Sequence, residues 1–148
     1  MMRFEEQLRK DDGQTSVLII GLCVVSLMFA VTMLAISAIN LEARKLLLAA
    51  DGASSAAATE FTAEVNSAEL IPVLTLSAAQ ESVTSHLQET GAYSRFESLG
   101  VESVVVASAG DTVTVHLRST ARPPVVSWFM PDGITVQAES SARTSLER

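Results

Sequence analysis

The chain has 148 residues, of which 48% are hydrophobic and 5% aromatic, and its formal net charge is −7. From residue 40 onward 13 acidic side chains face 7 basic ones, and a surface so acidic excludes the electrostatic attraction that nucleic acid and anionic lipid require. The single cysteine, Cys23, excludes an intramolecular disulfide, so the folded part has to be held together by packing.

The first predicted element is a membrane-spanning helix over residues 17–39, after a polar tail over residues 1–16. None of the 23 residues in this run is charged, and at 1.5 Å per residue they reach about 34 Å, slightly more than a hydrocarbon core of about 30 Å. A cleavable signal peptide is the alternative, but its apolar region usually has about 7–15 residues. We therefore expect a retained single-pass anchor.

Basic side chains flank this run on both sides. Arg3, Arg9 and Lys10 precede it, and Arg44 and Lys45 follow it directly. Because acidic neighbours count little in the positive-inside rule, this balance slightly favours a cytoplasmic amino terminus. The sequence therefore predicts a protein of the cell membrane whose carboxy-terminal domain is extracytoplasmic.

A helical extension is predicted over residues 40–66, because this stretch is rich in alanine and leucine and has no proline. Small residues recur here at every fourth position, and Ala49, Ala53 and Ala57 are candidates for an interface with a neighbouring helix. Two alternatives remain open. The same face can pack on the domain's own sheet, or alanine can be abundant only because it is the best helix former.

Residues 67–148 are predicted to form one small α+β domain that starts with a second, short helix. Ser77 and Gln80 have the spacing of a capping box at its start, and Gly91 can end it in a left-handed conformation. Its apolar residues lie on one face that needs a surface to cover; they are Leu76, Ala79, Val83 and Leu87.

Three strands are predicted after this helix, because apolar and polar residues alternate there. Val113, Val115 and Leu117 point to one side of their strand, and residues 101–108 should pair with that strand as a hairpin. In the last strand Ile134, Val136 and Ala138 alternate with polar residues. The fold class is therefore α+β, with a long helix, a short helix and a small three-stranded antiparallel sheet that has one polar face.

Side chains suited to chemistry are sparse and scattered. His86 and His116 have no partners at metal-ligand spacing in the sequence, and no serine has the surroundings of a nucleophile. We therefore expect no catalytic residue, no metal or cofactor site and no small-molecule substrate.

The connection "RPPVVSWFMPDG" is the most unusual local feature. Pro123 and Pro124 prevent regular structure, whereas Trp128, Phe129 and Met130 supply apolar bulk. Two interpretations are open: this loop closes the core over the end of the sheet, or it offers Trp128, Phe129 and Met130 to a partner.

Together these stretches resemble the TadE/TadG-like proteins of bacterial Flp/Tad pilus-assembly systems, especially the actinobacterial kind. The resemblance lies in the leader "DDGQTSVLIIG", the continuation "LEARKLLLAADGASSAAA", and two terminal strands separated by a proline-containing apolar loop. It covers nearly the whole chain and is most specific at "AADGASSAAA", which is similar to the family's A-A-D-x-A-A-x-A-A-A pattern. It implies a pilin-like fold and a minor pilin or pseudopilin-like component, working with other pilin-like or pilus-assembly proteins in a hetero-oligomer.

One position departs from the pattern of related prepilins, which are cut after a glycine and usually carry glutamate at the fifth mature position. Here Leu18 stands five residues after Gly13. Because this glutamate is missing, we expect the tail to be retained. A glutamate inside the membrane is costly without a partner, so its absence favours a helix that stays in lipid. The alternative function is a membrane-anchored extracytoplasmic binding module that uses the Trp128 loop.

Overall fold

The computed structural model describes residues 2–67, 75–107, 111–124, 127–128 and 130–143, with the side chains of residues 14–59 in the first of these ranges. The elements in chain order are helices α1 (Met2–Ser67), α2 (Leu76–Glu89) and α3 (Ala92–Arg95), then strands β1 (Glu97–Val106), β2 (Thr112–Ala121) and β3 (Ile134–Arg143). The predicted α+β fold class is confirmed. By packing, the chain divides into two units, Met1–Ser37 and Ala38–Arg148.

The first unit carries the apolar part of α1. Its large apolar side chains are exposed from Val17 to Ile36, and its length and composition are sufficient to cross a membrane. Two hydroxyl groups in the run are satisfied within the helix. Thr32 Oγ1 donates to the Met28 carbonyl at 2.8 Å, and Ser37 Oγ donates to the Met33 carbonyl at 2.9 Å. Such internal bonds reduce the cost of a hydroxyl in an apolar environment.

The second unit is built on an antiparallel sheet with the order β1-β2-β3. Val113, Val115 and Leu117 are fully buried on one face of β2, as the alternation predicted. Val136 is buried and Ala138 packs against the same core, and they pair with Ser119 and Leu117 of β2. The opposite face is polar, and on it Gln137 Nε2 donates to Glu102 Oε2 at 3.1 Å.

Strand β1 begins at Glu97, four residues before the predicted start at Val101. Its pairing with β2 shifts register between Glu97 and Gly100 and again between Val101 and Ser103, and Ser98 has a positive φ of 54°. Bulges of this kind break the two-residue alternation. The early part of the strand therefore carries no periodic signal in the sequence.

Helix α2 covers the inner face of the sheet with the fully buried residues Ala79, Val83 and Leu87, as predicted. Leu76, expected on the same face, is 50% exposed, so that part of the prediction is wrong. The amino-terminal cap is Thr75 rather than Ser77, since Thr75 Oγ1 accepts a hydrogen bond from the Ala78 amide. Gly91 adopts the predicted left-handed conformation, with φ of 66°.

The small residues of α1 form one wall of this core. Ala50 and Ala53 are fully buried, Ala57 is 1% exposed, and all three belong to the same core cluster as Val83 and Val115. Ala49 is partly buried and packs against that cluster. The predicted interface of Ala49, Ala53 and Ala57 with a neighbouring helix is therefore corrected to the first open alternative. Side chains this small let the helix backbone approach the domain's own elements closely.

Polar contacts tie the same helix to the last strand. The Ser140 hydroxyl on β3 donates to the Asp51 carboxylate, and Ser54 Oγ lies 3.4 Å from Ser140 Oγ. Next to Asp51, a Cβ added at Gly52 would lie 3.0 Å from Nε2 of His86 on α2. The glycine therefore leaves room for this imidazole, and residues 51 and 52, which weaken a helix intrinsically, are used here for tertiary contacts.

Candidate functional site

A cleft of about 330 Å³ lies where the first residues of the second unit meet the end of β2. We call it the basal cleft. Its lining comes from α1, from the end of α3 and the start of β1, from the end of β2, and from the start of the β2–β3 loop: Ala38, Leu41, Glu42, Lys45, Arg95, Glu97, Thr120, Ala121, Arg122, Pro123 and Pro124. The carboxyl end of β2 is therefore adjacent to the part of α1 that directly follows the apolar run.

Four of the five charged side chains that line the basal cleft form two ion pairs. Arg122 Nη1 lies 2.7 Å from Glu97 Oε1, and Lys45 Nζ lies 3.6 Å from Glu42 Oε2. Arg95 Nη2 donates to the Thr90 carbonyl at 3.1 Å. Exposed pairs of this kind contribute about 0–1 kcal/mol each. They orient the side chains and leave the cleft with little net charge.

The described residues of the β2–β3 loop bond back to the residues that leave this cleft. The Ser127 amide donates to the Pro123 carbonyl at 3.0 Å, and Ser127 Oγ donates to the Pro124 carbonyl at 2.9 Å. Near the loop's end the Gly133 amide donates to the Met130 carbonyl at 3.1 Å. Gly133 has φ of 73°, and a Cβ there would lie 2.6 Å from the Thr120 methyl group, so only glycine fits this turn without strain.

The apolar side chains of this loop are divided between core and surface. Pro123 is buried, whereas Trp128 is 87% exposed and Met130 is 51% exposed. Phe129 lies outside the described residues. Closure of the core by Trp128 and Met130, one of the two open interpretations, is therefore not what the structure has, and both side chains are available at the surface.

A second surface follows the outer side of α1. Leu41 and Leu48 are 56% and 70% exposed, and their spacing of seven residues places them on one side of the helix, away from the buried Leu46 and Ala50. Leu48 also borders a cleft of about 480 Å³ together with Lys45, Ala49, His86, Thr90, Arg95 and Phe96. This apolar surface is absent from the sequence-based predictions, although the leucine spacing in "LEARKLLL" was the available signal.

Two pairs of titratable groups lie elsewhere in the second unit. His116 Nδ1 is 3.8 Å from Glu139 Oε2 on the polar face of the sheet. Hydrogen bonds from the Arg143 guanidinium and the Thr112 hydroxyl hold the pKa of Asp111 below its usual value. Within the described ranges, no three His, Cys, Asp or Glu residues are grouped so that they could hold a metal ion. The surfaces around α1 and the β2–β3 loop are thus the best candidates for function.

No model of a protein family matches the chain, and comparisons with curated proteins and with solved structures give no significant match either.

Proposed function

We propose that this protein is a non-enzymatic, single-pass membrane component of a pilus or secretion assembly, similar to a minor pilin or pseudopilin of the TadE/TadG-like kind. One observation carries the proposal: the same helix, α1, supplies an uncharged apolar run and then a wall of the folded domain's core. The helix that carries the apolar run thus continues into the folded domain without an intervening loop. This coupling suits an assembly component better than a domain tethered by a flexible linker.

The partner surface in this proposal is the outer side of α1. Large apolar side chains at Leu41 and Leu48 stand in water next to the bilayer, and covering a leucine contributes about 1.5–3 kcal/mol. The occupants would be helices of other pilin-like or pilus-assembly proteins. Since the small-residue face is already used by the domain's own core, this leucine surface replaces Ala49, Ala53 and Ala57 in the proposed hetero-oligomer.

The proposed orientation has residues 1–16 in the cytoplasm and the sheet domain outside the cell membrane. Protease added to intact spheroplasts should then remove the domain, and the intact mass of the purified protein should include the polar tail. Protection of the domain together with cleavage of the tail would reverse the orientation. A mature amino terminus at Gln14 would indicate prepilin-type processing and favour a filament subunit.

The partner surface is tested by co-purification of the full chain from membranes that contain the neighbouring assembly proteins. Loss of one leucine contact of about 1.5–3 kcal/mol corresponds to roughly a 10- to 150-fold weaker complex, so Leu48→Arg should remove most of the partner protein. Val105→Arg is the matched control, because Val105 is an exposed apolar residue on the sheet and not on α1. Equal recovery with both variants would refute the assignment of this surface.

A second candidate function is a membrane-anchored extracytoplasmic binding module, favoured by the 87% exposure of Trp128. Exposed tryptophans are frequent anchors in protein interfaces. In that case Trp128→Ala would abolish partner recovery while Leu48→Arg would leave it unchanged. The opposite pattern supports the assembly component.

A further inference from the structure

We infer that the β2–β3 loop is an interfacial membrane contact, in which Trp128 and Met130 enter the headgroup layer. This inference rests on the proposed membrane anchoring and adds a second point of attachment to it. Its basis is the position of the basal cleft, the hydrogen bonds of Ser127 and the exposure of Trp128 and Met130.

The basal cleft lies at the level where α1 leaves the apolar run. Ala38 falls within that run, and Leu41, Glu42 and Lys45 follow its last residue, Ile39, within six positions. At 1.5 Å per residue this distance is at most about 9 Å. The headgroup layer of one leaflet is about 5–8 Å thick. Pro123 and Pro124, which line the same cleft, are therefore held at or near the level of the lipid headgroups.

The direction of the sheet supports this placement. Farther along α1, Asp51 contacts Ser140, which pairs with Val115. Toward the start of the unit, Ala38 and Leu41 lie by Ala121. Within the second unit the strands thus run alongside α1, and the end of β2 that carries the loop is the end nearest Ala38, the first residue of that unit.

The loop is held at this end by its own hydrogen bonds. Both bonds from Ser127 go back to Pro123 and Pro124, so the adjacent Trp128 stays next to the cleft. Its indole is 87% exposed. Tryptophan is enriched where membrane and water meet, because its ring is apolar and its N–H can bond to headgroups or water. A lipid surface is the occupant that accounts for both the exposure and the level of this side chain.

The chain contains one tryptophan, so its fluorescence reports on Trp128 alone. The full chain would be reconstituted in phosphatidylcholine vesicles, once with ordinary lipid and once with lipid brominated near the headgroup end of the acyl chains. We expect emission at shorter wavelength than from a water-exposed indole, and loss of most of the intensity with the brominated lipid. Bromine near the chain ends should quench less.

The matched control combines Trp128→Phe with Val105→Trp. Val105 is also exposed, and it pairs with Thr114, seven residues from Ala121 along β2, which is about 23 Å toward the other end of the sheet. Its indole should emit as in water and should not be quenched. Similar quenching at both positions would overturn the inference, because the domain would then contact lipid in no preferred orientation.

Flotation of the same vesicles separates the inference from the anchoring on which it rests. The chain could float with the vesicles while Trp128 emits as in water and escapes quenching. That result would support the membrane anchor but overturn the loop contact, and the loop would then be assigned to a protein partner. A chain that fails to float would overturn both proposals. Flotation together with quenching from the shallow bromines supports both.

Discussion

Two stretches of helix α1 differ in the surroundings of their apolar side chains. Residues 17–36 are mostly large and apolar, and their large side chains are exposed within the protein. Residues 46–58 are mostly small, and they include Leu46, Ala50, Ala53 and Ala57, which are buried. The first stretch suits lipid, which offers a fluid apolar surface to large side chains on every side of a helix. The second suits a protein core, in which close approach of backbones fills space better than large side chains do.

The comparison shows that hydropathy and burial are separate properties of one continuous helix. The more hydrophobic stretch has no cover in the protein, whereas the less hydrophobic one is enclosed by α2 and the sheet. Burial therefore depends on what the rest of the chain places against the helix. Substitutions at buried and at exposed positions of the second unit test this dependence.

The largest expected effect comes from the transition between the two stretches. Leu46 is fully buried and Leu48 is 70% exposed. Leu46→Ala should lower the free energy of unfolding by about 2–5 kcal/mol, because it leaves a cavity in the core, whereas Leu48→Ala should change it by less than about 0.5 kcal/mol. Guanidinium unfolding of the full chain in mild detergent, followed by circular dichroism, measures the difference. Equal effects would mean that α1 does not pack on the sheet in the orientation described.

The second effect concerns the size limit of the small-residue face. Ala53→Leu should destabilise the domain by about 1–3 kcal/mol, because a larger side chain overfills the space between α1 and its neighbours. Ser55→Leu, at an exposed position two residues away, is the control and should be close to neutral. Ala53→Leu could instead leave stability unchanged but block co-purification with pilus proteins. Ala53 would then belong to an interface with a neighbouring helix and not to the core.

A smaller effect is expected from the polar contact between α1 and β3. Ser140→Ala removes the hydroxyl that donates to Asp51, and loss of one such hydrogen bond costs about 0.5–1.5 kcal/mol. The neighbouring Ser141 is exposed on the other face of the strand, so Ser141→Ala should be neutral in the same unfolding measurement. A larger loss with Ser141→Ala would show that the register of β3 differs from the one described.

The smallest effect depends on pH and lies at the far end of the sheet. Because Arg143 and Thr112 lower the pKa of Asp111 in the folded state, its contribution to stability is present above the unfolded-state pKa of about 3.9 and declines as the pH falls through the folded-state value. Asp111→Asn should therefore be slightly less stable than the natural chain at pH 6, with the difference shrinking below about pH 4.

Asp132→Asn, which removes the charge of an exposed aspartate in the β2–β3 loop, serves as the control for the loss of one negative charge. High salt should also reduce the effect of Asp111→Asn, because the Asp111–Arg143 pair is exposed to solvent. A difference that grew toward low pH would contradict the assigned sign.

Prediction from the sequence was reliable where a pattern repeats. Val113, Val115 and Leu117 alternate strictly, and Ala79, Val83 and Leu87 follow the helical period, so their burial could be predicted. Prediction was less reliable where a single local contact determines the boundary of a helix or strand. Thr75 rather than Ser77 caps α2, and β1 starts early through two register shifts. Such choices depend on backbone geometry that only the paired elements impose.

The candidate surfaces divide in the same way. Trp128 was identified as a candidate contact because an apolar, proline-bounded loop is unusual, but the position of Pro123 and Pro124 beside Leu41 depends on the pairing of β2 with its neighbours. The apolar surface of Leu41 and Leu48 was overlooked because the alanine pattern next to it gave a stronger periodic signal. The position of the sheet determines which side of α1 stays exposed to solvent.

By itself the sequence determined the apolar run, the succession of a long helix, a short helix and three strands, and the faces of β2 and β3 that turn inward. These features follow from local composition and period, which act over a few residues. Only the tertiary structure decided that Ala53 and Ala57 belong to the core, and that the loop of Trp128 stands beside the residues following the apolar run. Both outcomes depend on contacts between segments separated by tens of residues, and a small side chain is equally suited to a core and to an interface until its neighbour in space is known.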